Sequence, residues 1–318
     1  MIYVFNDAEM KKLVEISEFQ MNRLSPLSHT ISKRVSKKEQ EQAVDSLTAM
    51  ELVYTLPDIP SRVTNEGALI SKALLRPECT ISFGRRLAFD DLTYALQLNN
   101  LWYIYTNIPQ YGIHILYAFL SVQMLAVWID EQLLKNYKPT EKNRNKFKVV
   151  LTYEEWLTFL ASQTLFIRRD ISGKKSGERT NFERNALLNP SITRFFKTSF
   201  RTLEMQKYAN IAESLFSADH GGKLFSKAIA GLIRKGLFAP AKSQQNTDQL
   251  AYTPTALHAL DSQFLLDTAY FNIKKANKQY TLLLCLRKTG ITILFDSGSD
   301  IHLSTTDSVP WLSYLKLF

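Results

Sequence analysis

Residues 41–83 read EQAVDSLTAMELVYTLPDIPSRVTNEGALISKALLRPECTISF. Val44, Leu47, Met50 and Leu52 recur at helical spacing, so the first part predicts an amphipathic helix. A polar, Pro-rich loop (TLPDIPSR) follows, then a second helix (VTNEGALISKALLRP), then a strand-like run (ECTISF). The same order of elements returns further on. SKAIAGLIRKGLF, a polar loop, AYTPTALHALDSQFLL and TAYFNI repeat the helix, loop, helix and strand.

Outward from that stretch, Asn6 and Glu9 have the spacing of a capping box, which starts a helix running to about Met21. After the first strand, Ala88–Asn100 is a connection that could hold a short helix (FDDLTYALQ). Leu101–Asn107 and Gly112–Phe119 read as the arms of a hairpin, and a helix from Ser121 closes the first half. Thr152 and Glu155 form a second capping box before LTYEEWLTFLASQTLF, and Thr253-Pro254 is a strong helix start. Strands are expected at Ala269–Lys274, Tyr280–Arg287, Ile291–Phe295 and Ile301–Ser304, with a last helix in VPWLSYLKLF.

The pairs Ala43/Ala228, Thr64/Thr253, Ile113/Ile301 and Ser121/Ser308 stand in the same order at nearly constant separation, which points to internal duplication. The expected fold class is therefore α+β: two related halves in a pseudo-twofold arrangement, each a helical, winged-helix-like part plus an antiparallel β meander. Residues 1–137 form the first half, 138–150 a polar linker, and 151–318 the second half, with a basic insert at 167–204.

A chain of 318 residues with 45% hydrophobic and 22% charged residues has ordinary globular composition. Its two cysteines, Cys79 and Cys285, offer neither a disulfide framework nor zinc spacing, which makes a reduced, cytoplasmic setting the default. The start, MIYVFNDAEMKKL, lacks the apolar core of a signal peptide. Tyr111–Ile129 runs without Asp, Glu, Lys or Arg, yet Gly112, His114, Ser121 and Gln123 favour a buried strand and helix over a membrane span. The net charge of +9 is concentrated in Lys33–Lys38, Lys135–Lys148 and Arg168–Arg184, all in polar connections.

Catalytic patterns are missing from the sequence: no phosphate-cradling glycine loop, no H-E-x-x-H, no nucleophile elbow and no Cys/His ligand cluster. No catalytic residue, cofactor or metal is expected. His220-Gly221-Gly222 reads as a helix end, and His114 and His302 as structural histidines at equivalent strand positions. Nucleic acid is a weaker alternative. Helix, helix, polar loop and strand have the order of a winged helix, and Lys223, Lys227, Arg234 and Lys235 suit a recognition helix. The corresponding first-half helix instead carries Glu39, Glu41, Asp45 and Glu51.

The run AMELVYT…VTNEGALISKALLRPECTISFGRR, with Leu74-Leu75-Arg76-Pro77-Glu78 closing its helix, resembles the N-terminal part of the EspG family, the cytosolic chaperones of ESX (type VII) secretion systems. YTLLLCLRKTGITILFDSGSDIHLSTTDSVPWLSYLKL is similar to that family's terminal meander and helix. The resemblance implies a non-enzymatic chaperone that binds the apolar tip of a secreted helical-hairpin protein and keeps it soluble before export. High Lys, Asn and Ile content and the insert at 167–204 depart from the family pattern. The partner expected is thus a helical hairpin of the Trp-x-Gly, Leu-x-Gly or Pro-Glu/Pro-Pro-Glu type, the departures favouring the first two. Aromatic anchors carry much interface energy, so Trp102, Tyr103, Tyr105, Ile108 and Tyr111 are the candidate partner contacts. Since 103 and 105 share one strand face and 102 the other, one set should be core. A winged-helix DNA-binding regulator is the second reading, and a phage- or toxin-associated binding protein the third.

Overall fold

The computed structural model describes residues 1–29, 36–85, 93–135, 137–140, 146–171, 181–188, 190–199, 206–216, 221–241, 249–254, 256 and 265–317. The fold is mixed α+β and built on antiparallel sheet. The chain divides into two units. Unit 1 is Met1–Lys138, Asp267–Leu283 and Val309–Phe318; unit 2 is Pro139–Leu266 and Leu284–Ser308.

Unit 1 begins with β1 (Ile2–Asn6), α1 (Asp7–Ser17) and α2 (Lys37–Ala49). A hairpin follows, β2 (Val53–Leu56) and β3 (Ile59–Val63), then α3 (Asn65–Leu75). The meander is β4 (Cys79–Arg85), β5 (Thr93–Leu98), β6 (Leu101–Ile108) and β7 (Ile113–Leu120), closed by α4 (Val122–Leu134). β12 (Leu265–Lys275) adds to β4 in antiparallel register, with Phe271 opposite Phe83. The order β1-β7-β6-β5-β4-β12 makes β1 an edge strand.

Helices cover both faces of this sheet. On one, Leu96, Leu98, Tyr103, Tyr105, Leu116 and Ala118 pack with Met10 and Leu13 of α1, Leu47 of α2 and Ile70 and Leu74 of α3. On the other, Trp128 of α4 meets Phe83 at 5.5 Å and Tyr117 at 6.2 Å between ring centroids. The final helix (Trp311–Leu315) brings Trp311 to 5.1 Å from Phe271, and its indole Nε1 donates to Asp130 Oδ1 at 2.9 Å. The apolar run at 111–129 is thus a strand and an amphipathic helix, and no helix among the described residues is long and apolar enough to cross a membrane.

Unit 2 contains β8 (Lys148–Leu151), α5 (Tyr153–Ile171), β9 (Asn181–Glu183) and helices at Pro190–Ser199, Gln206–Phe216 and Gly221–Arg234. β10 (Phe238–Pro240) and β11 (Gln249–Tyr252) form a hairpin to which β9 adds a third strand. β13 (Lys278–Arg287) enters from unit 1 along the chain; β14 (Gly290–Asp296) and β15 (Ile301–Thr306) follow, and β15 pairs antiparallel with β8. The core joins Trp156, Leu157 and Phe159 of α5 to Phe196, Tyr208, Phe216, Leu232, Phe238 and Leu303.

Local chemistry sets the helix ends. The Asn6/Glu9 capping box forms, Glu9 N–H donating to Asn6 Oδ1 at 2.9 Å and Asn6 N–H to Glu9 Oε2 at 2.7 Å. Thr152 and Glu155 do the same at 3.3 and 2.9 Å. The box of Ser36 and Glu39 was not singled out from the sequence.

One hydrogen-bond pattern occurs in each unit. After α2, Leu52 N–H donates to Leu47 O at 3.0 Å and Glu51 N–H to Thr48 O at 2.9 Å, a Schellman motif with Glu51 at φ 60°. After the Gly221–Arg234 helix, Leu237 N–H donates to Leu232 O and Gly236 N–H to Ile233 O, both at 3.0 Å, with Gly236 at φ 70°. Each hairpin then returns to a threonine cap. Thr64 Oγ1 donates to Glu51 O and accepts from Gly67 N–H; Thr253 Oγ1 donates to Gly236 O and accepts from Ala256 N–H.

Three sequence expectations change. The polar loop TLPDIPSR is mostly strand: β2 and β3 turn through Pro57-Asp58, Asp58 taking φ 63°. This turn places proline first and a left-handed residue second. The connection expected to hold a short helix contains β5 instead; its earlier part, 88–92, lies outside the described residues. His114 and His302 are not equivalent. His114 is buried in the row with Leu116 and Ala118, while half-exposed His302 sits on the side of its strand opposite Ile301 and Leu303.

Candidate docking surface

The five residues singled out from the sequence fare differently. Trp102, Tyr103 and Tyr105 are 1%, 0% and 0% exposed, so a partner cannot reach them. One of the two sets was expected to be core, and both are, because β6 lies in the middle of a sheet covered by α1 and α3 on one side and α4 on the other. Ile108 is half-buried at the strand end. Tyr111, in the turn, is 73% exposed.

Other exposed apolar side chains of unit 1 are grouped on single elements: Ile2 and Val4 on β1, Met124 and Val127 on α4, and three on the β2–β3 hairpin. Tyr54, Leu56 and Ile59, on β2 and β3, are 41%, 49% and 46% exposed. Leu56 and Ile59 face each other beside the turn, and Tyr54 pairs with Arg62. At the root of the hairpin Val53 is buried and Val63 packs against the core, so the root is anchored while the tip projects. A two-stranded ribbon gains little from leaving large apolar groups in water; exposed clusters of this kind mark interaction sites. The sequence signal was present as alternation on either side of Pro57-Asp58, but two prolines within four residues favoured a loop reading.

The titratable clusters are saturated. In unit 1, His114 Nε2 lies 3.0 Å from Asp7 Oδ1, and Tyr105 OH lies 2.8 Å from His114 Nδ1. The array has the connectivity of a proton relay, yet Tyr105 and His114 are sealed from solvent, so no substrate can reach the phenol. In unit 2, Asp296 is 1% exposed and accepts from Tyr153 OH at 2.8 Å, Lys207 Nζ at 2.6 Å, Gly298 N–H at 2.8 Å and Tyr208 OH. Burial pushes the Asp296 carboxyl up, but these donors outweigh it and hold it below its ordinary value. Burial and the same carboxylate keep both phenols protonated as donors. The group fastens α5, the Gln206–Phe216 helix and β14 together.

Burial pushes the Cys79 thiol up to about 12 and raises Cys285 as well, which removes thiolate chemistry at neutral pH. No group of His, Cys, Asp and Glu among the described residues could hold a metal ion.

No family model matches the sequence, and no curated protein does. Among solved structures, the chain is similar to the Mycobacterium tuberculosis type VII secretion system chaperone EspG5, determined in complex with the PE25–PPE41 dimer. The two share 9% sequence identity, the match covers 99% of this chain and 94% of that chain, and the TM-score is 0.47.

Proposed function

We propose that the protein is a non-enzymatic chaperone or adaptor that binds a secreted helical-hairpin protein of a type VII secretion system and keeps it soluble in the cytoplasm before export. The observation that carries this reading is the projecting β2–β3 hairpin, whose Tyr54, Leu56 and Ile59 are apolar, exposed and fixed by a buried root. Such side chains can shield the apolar tip of a helical hairpin, and an aromatic with two aliphatic neighbours supplies the anchors that dominate interface energy. The sequence resemblance to EspG proteins names the partner class, and the departures from that family favour a Trp-x-Gly or Leu-x-Gly hairpin over a Pro-Glu/Pro-Pro-Glu pair. Exposed Tyr111 is a second contact candidate.

The test is co-expression of the full chain with a helical-hairpin secreted protein encoded beside it, followed by size-exclusion chromatography. A stoichiometric complex is expected. Replacing Tyr54, Leu56 and Ile59 together with serine should weaken it at least about tenfold with little change in stability, since hot-spot truncation commonly costs more than 1 kcal/mol per anchor. Recovery of nucleic acid with steep salt dependence, and no protein partner, would favour the winged-helix regulator and sink the chaperone.

A further inference from the structure

Unit 2 carries a surface of a different kind on its Gly221–Arg234 helix. Phe225, Ile229 and Leu232 turn one side of that helix into the core, against α5, the Gln206–Phe216 helix and Phe238 of β10. The chain order around it is α5, β9, the helices at Pro190–Ser199, Gln206–Phe216 and Gly221–Arg234, then β10 and β11. The small sheet runs β10-β11-β9, with Leu250 of β11 opposite Phe182 of β9 in antiparallel register. Apart from the extra helix at Pro190–Ser199, this is the connectivity of a winged helix, in which the helix before the hairpin is the one offered to a DNA groove.

The side of the helix away from the core is a basic stripe. Lys223, Lys227, Ala230 and Arg234 are all exposed. At about 100° and 1.5 Å per residue they fall within about 60° of one another around the axis and span about 16 Å along it. The helix contains no Asp or Glu. Lys235, just beyond it, is bound to Glu155, but Lys223, Lys227 and Arg234 make no ion pair among the described residues. In unit 1, α2 also precedes a hairpin, yet it exposes Glu39, Glu41 and Asp45.

Three unpaired cations in a row, with no carboxylate among them, fit a partner whose negative charges are spaced along a rod. Insertion at a membrane surface would need the apolar side of the helix, which the core already occupies. The major groove of B-DNA, about 12 Å wide, admits an α-helix between two walls of phosphates. We propose that the Gly221–Arg234 helix docks in the major groove of double-stranded DNA. Lys223, Lys227 and Arg234 neutralise phosphates, and the small side chain of Ala230 lets the helix approach the base edges. This inference does not rest on the chaperone reading.

The experiment titrates the full chain into a fluorescein-labelled, mixed-sequence duplex of about 20 base pairs, two helical turns, and reads anisotropy. Three neutralised phosphates give an expected slope of log Kobs against log salt of about −3, so binding should weaken about 40-fold between about 50 and 200 mM NaCl. The combined Lys223→Gln, Lys227→Gln and Arg234→Gln chain should bind at least about tenfold more weakly and lose about 2–3 from that slope. Lys37→Gln, Lys38→Gln and Lys278→Gln remove the same charge from exposed positions of unit 1 and should change binding by less than about twofold. No binding, or an equal loss in both triple variants, overturns the proposal. So does tighter binding of polyglutamate or of phosphatidylserine vesicles than of duplex, which assigns the stripe to an acidic protein or a membrane. A stoichiometric helical-hairpin complex in a chain that ignores duplex overturns this inference and leaves the chaperone reading intact. Duplex binding by a chain that takes up no protein partner does the reverse.

Discussion

Glu51 stands where a left-handed helix cap is required, at φ 60°, and Gly236 fills the same place in unit 2 at φ 70°. A side chain there strains the backbone, and glycine does not. Glu51→Gly is expected to raise stability by about 1 kcal/mol, and Gly236→Glu to lower it by a similar amount, both read by denaturant unfolding. Asp296 makes the stability of unit 2 depend on pH. Its folded carboxyl titrates below the ordinary value of 3.8, so its contribution is fully present above that value and is lost as pH falls through the lowered one. Asp296→Asn should cost about 1–3 kcal/mol at neutral pH, because the donors gathered on the buried carboxylate lose a charged acceptor. The difference from wild type should shrink steadily in unfolding curves taken below pH 4. The capping boxes at Asn6 and Thr152 were legible because the groups involved are three residues apart. The Asp296 donors come from positions 153, 207, 208 and 298, which no local pattern connects.

At the scale of elements, two helices of unit 2 approach closely because Gly231 lacks a side chain. A Cβ there would stand 1.9 Å from Glu155 Oε1, the carboxylate that also caps α5 and pairs with Lys235. Gly231→Ala should destabilise by about 1–3 kcal/mol through this overpacking. Gly222→Ala in the same helix meets nothing within 4 Å and should be neutral or stabilising by up to about 1 kcal/mol. Thermal unfolding of the two variants separates packing from helix propensity. The elements themselves were largely readable. Helices α1 to α5 and strands β4, β6, β7, β13, β14 and β15 follow their hydrophobic periodicity. The β2–β3 hairpin and β5 were not, since Pro57 and Pro60 suggested a loop and the polar residues preceding β5 suggested a helix.

For the whole molecule, the chain does not build its units from consecutive segments alone: Asp267–Leu283 and Val309–Phe318 belong to unit 1 although they follow most of unit 2. That assignment decides which side chains are available. Trp102, Tyr103 and Tyr105 belong to a strand that several long-range partners enclose, and Phe271 and Trp311, from the end of the chain, help cover the second sheet face. The large exposed apolar side chains of unit 1 include Tyr111 in its turn, Tyr54, Leu56 and Ile59 on the hairpin, Ile2 and Val4 on β1, and Met124 and Val127 on α4.

What the sequence by itself determined is what short-range physics controls: the α+β class, the helix starts at Asn6 and Thr152, and the strand–helix character of 111–129. Periodicity and capping act over a few residues, so they are written locally. Only the tertiary structure decided which apolar residues face water. Burial depends on what the rest of the chain lays over a strand, and β6 is covered on both faces while β2 and β3 are not. The Glu41–Phe83 stretch thus holds both the fold's most readable signal and, in the part that read as a loop, an exposed apolar cluster.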